Sequence, residues 1–298
     1  MRAAAILGPN ARPEDVRSFN RPDLGVLITQ AHAPQPDADA VLIVGGDGTI
    51  HRHLHKLIEM RVPLLPVPGG SANDFARAVG LRKRSDAINA WEKFCRGGGN
   101  VRELDVGVIT PVSGDTQIAA SEARNSTYFC NIGGAGLDAN TNRRVNGWPR
   151  WVRAHGGYVV AALQEIANWR PAHMRVWVPD TSGKWRECIS EPATFVAFAN
   201  SPAYGDGMKI APRAKLDDGL LDVCFVRRAS KGKILTFFPT VFFGAHLRLP
   251  EVEYFQVPAL RLETERPMNV YADGEYVCKT PVEVRVVRCS LRVIYDAE

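Results

Sequence analysis

The stretch Val41–Leu57, VLIVGGDGTIHRHLHKL, places chemistry-bearing residues at a telling spacing. An apolar run stops at Gly45-Gly46, the chain turns, and a helix-forming stretch follows from about Thr49. Glycines permit positive φ and carry no Cβ to obstruct a ligand. Amides at a helix start have no intrahelical acceptor and meet an anion well. Gly45, Gly46, Gly48 and Thr49 are therefore candidates for cradling phosphates. Asp47 either orients a cation on those phosphates or serves as a turn or cap aspartate. A second stretch, Leu65–Val79 (LPVPGGSANDFARAV), has the same plan: a run ends, Pro68-Gly69-Gly70 turns, and a helix follows. Gly70, Ser71 and Asn73 join the candidate phosphate site. Neither loop fits GxxxxGK[ST] or GxGxxG.

Other residues with chemical potential are scattered. Asp273-Gly274-Glu275 separates two strand-like runs and alone reads as a hairpin turn. Asp217-Asp218-Gly219 reads as a surface turn. His51 and His55 are four apart on the expected helix, but no third ligand accompanies them, so His51, His53 and His55 read as exposed helix residues. The six cysteines form no CxxC pair and mostly sit in apolar runs. They are expected to be buried free thiols in a reducing compartment.

The elements that must position these groups fall into two patterns. Ala3–Leu7, Gly25–Thr29, Ala40–Val44 and Leu64–Val67 are expected strands. Thr49–Glu59, Asn73–Val79 and Asp86–Cys95 are expected helices, with Thr49 and either Ser71 or Asn73 as N-caps. Strands alternating with helices imply a parallel α/β sheet, whose ligands bind beyond the carboxyl ends of the strands. After Gly97–Asn100 the pattern becomes strand-rich: Arg102–Ile109, Thr127–Ile132, Met174–Val178, Ala193–Ala199, Leu221–Val226, Met268–Ala272 and Val282–Val287. Tyr158–Asn168 and Lys231–Phe243 are the helical exceptions. The expected fold is an α/β nucleotide-binding domain over residues 1–100 and an all-β sandwich over 101–298. The last strand is allowed to return to the first domain.

The bulk composition suits this plan. A chain of 298 residues with 45% hydrophobic and 23% charged residues is globular and long enough for two domains. No apolar run reaches transmembrane length. The opening MRAAAILGPN reads as a strand, not a secretory signal. The net charge of +5 suits an anionic partner such as a nucleotide or lipid surface, and no dense basic run suggests nucleic acid.

GGDGT followed by PGGSANDFAR resembles the catalytic domain of the superfamily of diacylglycerol kinases, sphingosine kinases and bacterial YegS-like lipid kinases. Later stretches resemble it in the same order: NIGGAGLDA (Asn131–Ala139), NSPAYGDGMKIAPRAKLDDGLLDV (Asn200–Val223) and YADGEYV (Tyr271–Val277). Ser71 stands where threonine is commoner. The resemblance implies an ATP-dependent lipid kinase acting on a diacylglycerol-like or sphingoid hydroxyl. It implies ATP at the two glycine loops and at Thr29, which reads equally as an ordinary strand-end threonine, with Glu275 as proton acceptor and Asp273 sharing or supporting that role. It also implies a magnesium ion at Asp218 and the carbonyls of Lys215 and Leu220.

The same resemblance implies a cytoplasmic protein peripheral to the membrane, with a homodimer possible. Arg143, Arg144, Trp148, Arg150, Trp151 and Arg153 read either as a segment that docks on the bilayer or as a buried tryptophan pair with solvated arginines. Leu235–Gly244 reads as an acyl-chain channel or as a core helix kinked near Pro239. The sequence departs from the family at Gly8-Pro9-Asn10 and at Arg52, where glutamate is common. The alternatives left open are an NAD-kinase-like enzyme with a soluble substrate and a catalytically impaired lipid- or nucleotide-binding homologue.

Overall fold

The computed structural model describes residues 1–112, 126–136, 170–205 and 207–296. The chain divides into two units, one of Met1–Val106 with Arg288–Glu298 and one of Gly107–Val287.

In the first unit, strands β1 (Arg2–Leu7), β2 (Leu27–Ala31), β3 (Ala40–Gly45) and β4 (Leu64–Pro68) run parallel in the order β2-β1-β3-β4. Helices α1 (Asp47–Met60), α2 (Asp74–Ala78) and α3 (Arg84–Cys95) connect or follow them. β3 is buried at all six positions, because a parallel strand is covered on both faces. Leu42 and Val44 join Ala90 and Trp91 of α3 in one core cluster. Trp91 is fully buried, and its Nε1 donates to the Phe19 carbonyl at 2.7 Å. Ile50, Leu54 and Leu57 recur at helical spacing on α1 and are buried, which sets the inward face of that helix. The expected strand Gly25–Thr29 lies two residues later, since Gly25 closes a turn in left-handed geometry.

Strand β15 (Val282–Ile294) belongs to both units. Its carboxyl end lies beside β4, pairing Val293 with Leu64. β5 (Val101–Pro111) pairs with it as well.

The second unit is almost all antiparallel strand: β6 (Thr127–Phe129), β7 (Ile132–Gly136), β8 (Ala172–Pro179), β9 (Trp185–Ala199), β10 (Leu221–Arg227), β11 (Val252–Val257), β12 (Ala259–Thr264), β13 (Asn269–Ala272) and β14 (Glu275–Lys279). It is a β-sandwich. The 15-residue β9 passes from one layer to the other: up to Ala193 it pairs with β8, and from there on with β7 and β10. Layer-switching strands make the corners of such sandwiches. The core between the layers contains Phe129, Val196, Phe198, Phe225, Leu260 and Val284, with Phe129 edge-on to Phe198 at 5.8 Å.

Several expectations change. Thr127–Ile132 is two strands, split at Cys130-Asn131. The helix at Lys231 (α4, Lys231–Phe237) yields to a 3-10 segment, Phe238–Phe243, at Pro239, whose ring cannot continue an α-helix. Only Cys130 and Cys224 are buried, whereas Cys188 and Cys289 are exposed. The expected helix at residues 158–168 and the Trp148/Trp151 segment lie outside the described residues. Among the described residues, no helix is long and apolar enough to cross a membrane.

Candidate active site

The strand order of the first unit reverses between β1 and β3, since the chain leaves β1 for β2 on one side and returns to β3 on the other. A crevice opens at the carboxyl ends of strands at such a reversal, and ligands settle there. Gly8 follows β1, Gly45-Gly46 close β3, and Gly69-Gly70 follow β4, so three glycine turns gather at this edge.

They pack directly on one another. The Gly8 amide donates to Val44 O at 2.8 Å, and the Gly69 amide to Gly45 O at 3.0 Å. A Cβ added to Gly70 would stand 2.5 Å from the Gly46 Cα, and one added to Gly46 would stand 3.0 Å from the Gly70 Cα. The sequence suggests that these glycines clear space for a ligand. The structure supplies a prior reason, which is that each glycine clears space for the other loop.

Asp47 ties the loops together. Its Oδ2 accepts from the Asp74 amide at 3.0 Å and its Oδ1 from the Phe75 amide at 2.8 Å. The carboxylate of one loop thus caps the helix that follows the other, where the amides and helix dipole favour negative charge. Asn73 holds the second turn: its Oδ1 accepts from Gly70 N at 2.7 Å and Gly69 N at 3.2 Å, and its Nδ2 donates to Gly70 O at 2.9 Å. Its φ of 56° places it in the left-handed region, which asparagine tolerates. Asn73 is the backbone N-cap of α2, while Thr49 and Ser71 are not N-caps. The N-cap of α1 is Gly46, which has no side chain to offer its amides. Thr49 is buried inside α1, and its Oγ1 lies where a Cβ on Gly8 or Gly45 would reach, at 2.9 and 2.8 Å. Gly48 lies in the first turn of α1 and Ser71 is exposed.

Gly8 and Gly69 are the members of this cluster outside the phosphate candidates of the sequence. The signal for Gly8 is the Gly-Pro-Asn after the first strand, which reads there as a departure from the family pattern. Thr29 is not brought to the turns. It is opposite Ala4 in the middle of β2, exposed beside a cavity of about 590 Å³ along the β1–β2 edge. From Ala4 to Gly8 is about 13 Å of strand. Arg52 lies exposed on α1.

In the second unit, Asp273 sits in the turn between β13 and β14 with φ 50°. Its Oδ2 accepts from the Cys130 amide at 2.9 Å and its Oδ1 from the Asn131 amide at 2.8 Å, while its own amide donates to Ile132 O. Glu275 follows as the exposed first residue of β14. Behind the turn lies a buried polar cluster. The Asn200 Nδ2 donates to Cys130 O at 3.1 Å, and the Ser201 hydroxyl donates to Asn131 Oδ1 at 3.1 Å. Asn131 and Asn200 each open a family-like stretch, yet their part in holding the Asp273 turn has no signal in the sequence.

Asp218 accepts from Leu220 N at 3.1 Å, folding its carboxylate back on its own turn; Lys215 is exposed and Leu220 half-buried. Asp222, four residues on, is fully buried and receives the Tyr254 hydroxyl and, at 3.1 Å, the Gln256 amide. Burial raises its pKa, the two hydrogen bonds oppose that, and the charge of Asp218 adds to it. Arg213 lies over the Tyr254 ring at 5.6 Å. No three His, Cys, Asp or Glu side chains among the described residues gather as a metal site. A cation at this turn would therefore rely on carbonyl oxygens beside Asp218. Burial, Arg52 and Lys56 keep the pKa of His53 low.

The family profile described as the diacylglycerol kinase catalytic domain matches residues 11–109, and that of the YegS C-terminal NAD kinase beta sandwich-like domain matches residues 131–295. A diacylglycerol kinase of Mycobacterium tuberculosis is 31% identical over 270 residues, covering 89% of this chain and 79% of its own. This chain belongs to the diacylglycerol kinase and YegS-like lipid kinase superfamily. A diacylglycerol kinase of Bacillus subtilis is 25% identical over 87% of the chain. Among solved structures, a diacylglycerol kinase from Bacillus anthracis superposes with a TM-score of 0.66 at 17% identity, covering 99% of this chain and 96% of its own. An ATP-bound NAD kinase from Archaeoglobus fulgidus reaches 0.55 at 13% identity, covering 99% and 94%. These superpositions show the fold of the superfamily.

Proposed function

We propose that the protein is an ATP-dependent lipid kinase that moves the γ-phosphoryl group onto a hydroxyl of a membrane lipid, diacylglycerol-like or sphingoid. The observation that carries this reading is the direct contact of the Gly45-Gly46 and Gly69-Gly70 turns at the sheet's topological reversal. Phosphoryl transfer asks mainly for held phosphates, screened charge and an aligned acceptor. The α1 N-terminus, whose N-cap Gly46 has no side chain, would offer amides from Gly46 and Gly48 to the phosphates, with Gly70, Ser71 and Asn73 completing the cradle from the second turn.

In the step itself, the lipid hydroxyl oxygen attacks the γ-phosphorus. The bond to the β,γ-bridging oxygen breaks and ADP departs. The hydroxyl proton passes to Glu275. Asp273 is a positioning residue: both its oxygens are engaged by backbone amides, which fixes the turn that presents Glu275. Magnesium, when bound with ATP, screens phosphate charge. Asp47 would reach it only through lone pairs that its two amide bonds leave, directly or through water. A second magnesium would use Asp218 with the carbonyls of Lys215 and Leu220. The enzyme works at the membrane face of the cytoplasm, with Trp148 and Trp151 as interfacial anchors; a double Trp→Ala variant that still sediments with liposomes rejects those anchors.

The test is incubation with labelled ATP, magnesium and a panel of lipids, followed by organic extraction. Label in the organic phase is expected, and Glu275→Gln lowers the rate about 10²–10⁴-fold while leaving ATP binding intact. Label appearing only in NADP identifies a soluble-substrate kinase, and no turnover on any lipid marks a binding homologue.

A further inference from the structure

A cavity of about 860 Å³ in the first unit shares no lining residue with the glycine turns. It lies where α2 passes to α3, against the start of β5 and the end of β15. Four cations line it, Arg77, Arg82, Lys83 and Arg102, against two carboxylates, Asp86 and Asp296. The floor is apolar and firm, since Leu104 and Val293 are buried. The Gly80 turn closes one wall, with φ 87°.

Asp86 is already engaged. Its Oδ2 accepts from the Arg82 and Lys83 amides at 3.0 Å each, and its Oδ1 from the Ser85 hydroxyl at 3.3 Å. Burial alone would raise its pKa, but those hydrogen bonds and the Lys83 charge outweigh it and keep the carboxyl ionised. It therefore serves the α3 N-terminus; Arg77 lies 3.9 Å from Asp74, and the lining as a whole carries more cations than carboxylates. A concave lining with a net positive charge attracts anions. Three of the four cations are arginines, whose forked donors match phosphate oxygens. The volume falls in the range of small-molecule sites and exceeds what a bare phosphate fills.

We propose that this cavity is a second anion site, one that takes a phosphate-bearing molecule of metabolite or lipid head-group size. It operates independently of the kinase chemistry and is tested by binding alone.

The experiment is hydrogen exchange followed by mass spectrometry on the full chain, with two probes: pyrophosphate, and phosphatidylcholine vesicles with or without phosphatidylglycerol. Slowed exchange is expected in residues 78–86 and 293–296. An Arg82→Glu, Lys83→Glu double variant abolishes that protection and weakens the probe by about tenfold or more, the equivalent of one lost charge-assisted contact. Both side chains are exposed, and Arg102→Gln attacks the same cavity from a different strand should the double variant fold poorly. Protection by pyrophosphate assigns a soluble phosphate ester; protection only by phosphatidylglycerol vesicles assigns a lipid head group. Protection confined to residues 45–50 and 69–75, absent altogether, or unchanged in the variants overturns the proposal.

Discussion

At the scale of single residues, the two turns depend on atoms that cannot be exchanged cheaply. Gly70→Ala puts a methyl group 2.5 Å from the Gly46 Cα, a backbone atom that cannot swing aside. We expect a loss of about 1–3 kcal/mol, as for overpacked sites, with weaker nucleotide binding; urea unfolding and ATP titration measure the two. Asp47→Asn exchanges a charged acceptor of two amides for a neutral one, half of it a donor. It should cost about 1–2 kcal/mol in the same urea experiment. Asp222 gives a pH signature. Its folded pKa lies above the ordinary 3.8, chiefly through burial. The folded state therefore binds this proton more tightly than the unfolded chain, so the group erodes stability as pH rises from about 4 through its folded pKa. Asp222→Asn should flatten that fall in a series of urea midpoints across pH; an unchanged slope would remove Asp222 as its source.

At the scale of elements, the hairpin of β13 and β14 is held by a strand break elsewhere. Cys130 and Asn131 interrupt what reads in the sequence as one strand, and the two amides freed there are those that Asp273 accepts. Asp273→Asn should lower stability by about 1–3 kcal/mol and, with the proposed positioning role, reduce turnover without moving the pH profile. A profile displaced by Asp273→Asn instead would make it share the proton. The helices of the first unit were legible to within a few residues because apolar spacing sets them: Ile50, Leu54 and Leu57 can all face inward only on an α-helix. The α2 N-cap was legible as Asn73, one of two candidates, but its side-chain cap was not, since an aspartate 27 positions earlier in the chain supplies it. The Lys231 helix was legible in type but not in length, because Pro239 acts on a segment whose neighbours still look helical.

For the whole molecule, the last strand belongs to two units. Leu291, Val293 and Ile294 are fully buried at the carboxyl end of β15, and burying each contributes about 1.5–3 kcal/mol. A chain ending at Val287 loses all three, which rivals the net stability of an ordinary domain. We expect the first unit of that truncated chain to be degraded rapidly in limited proteolysis, while the second unit stays resistant.

Alone, the sequence determined the α/β-then-β order, the two glycine turns and the superfamily, because alternating periodicity and glycine placement are local properties that survive in one dimension. Only the tertiary structure decided that the glycines face each other, that Asp47 and Asp273 are bound to distant amides, and that Arg102 of β5 shares one cavity with the cations of residues 77–83. Each of those depends on pairing across tens to hundreds of residues, and no local pattern of residue types encodes a partner that far away.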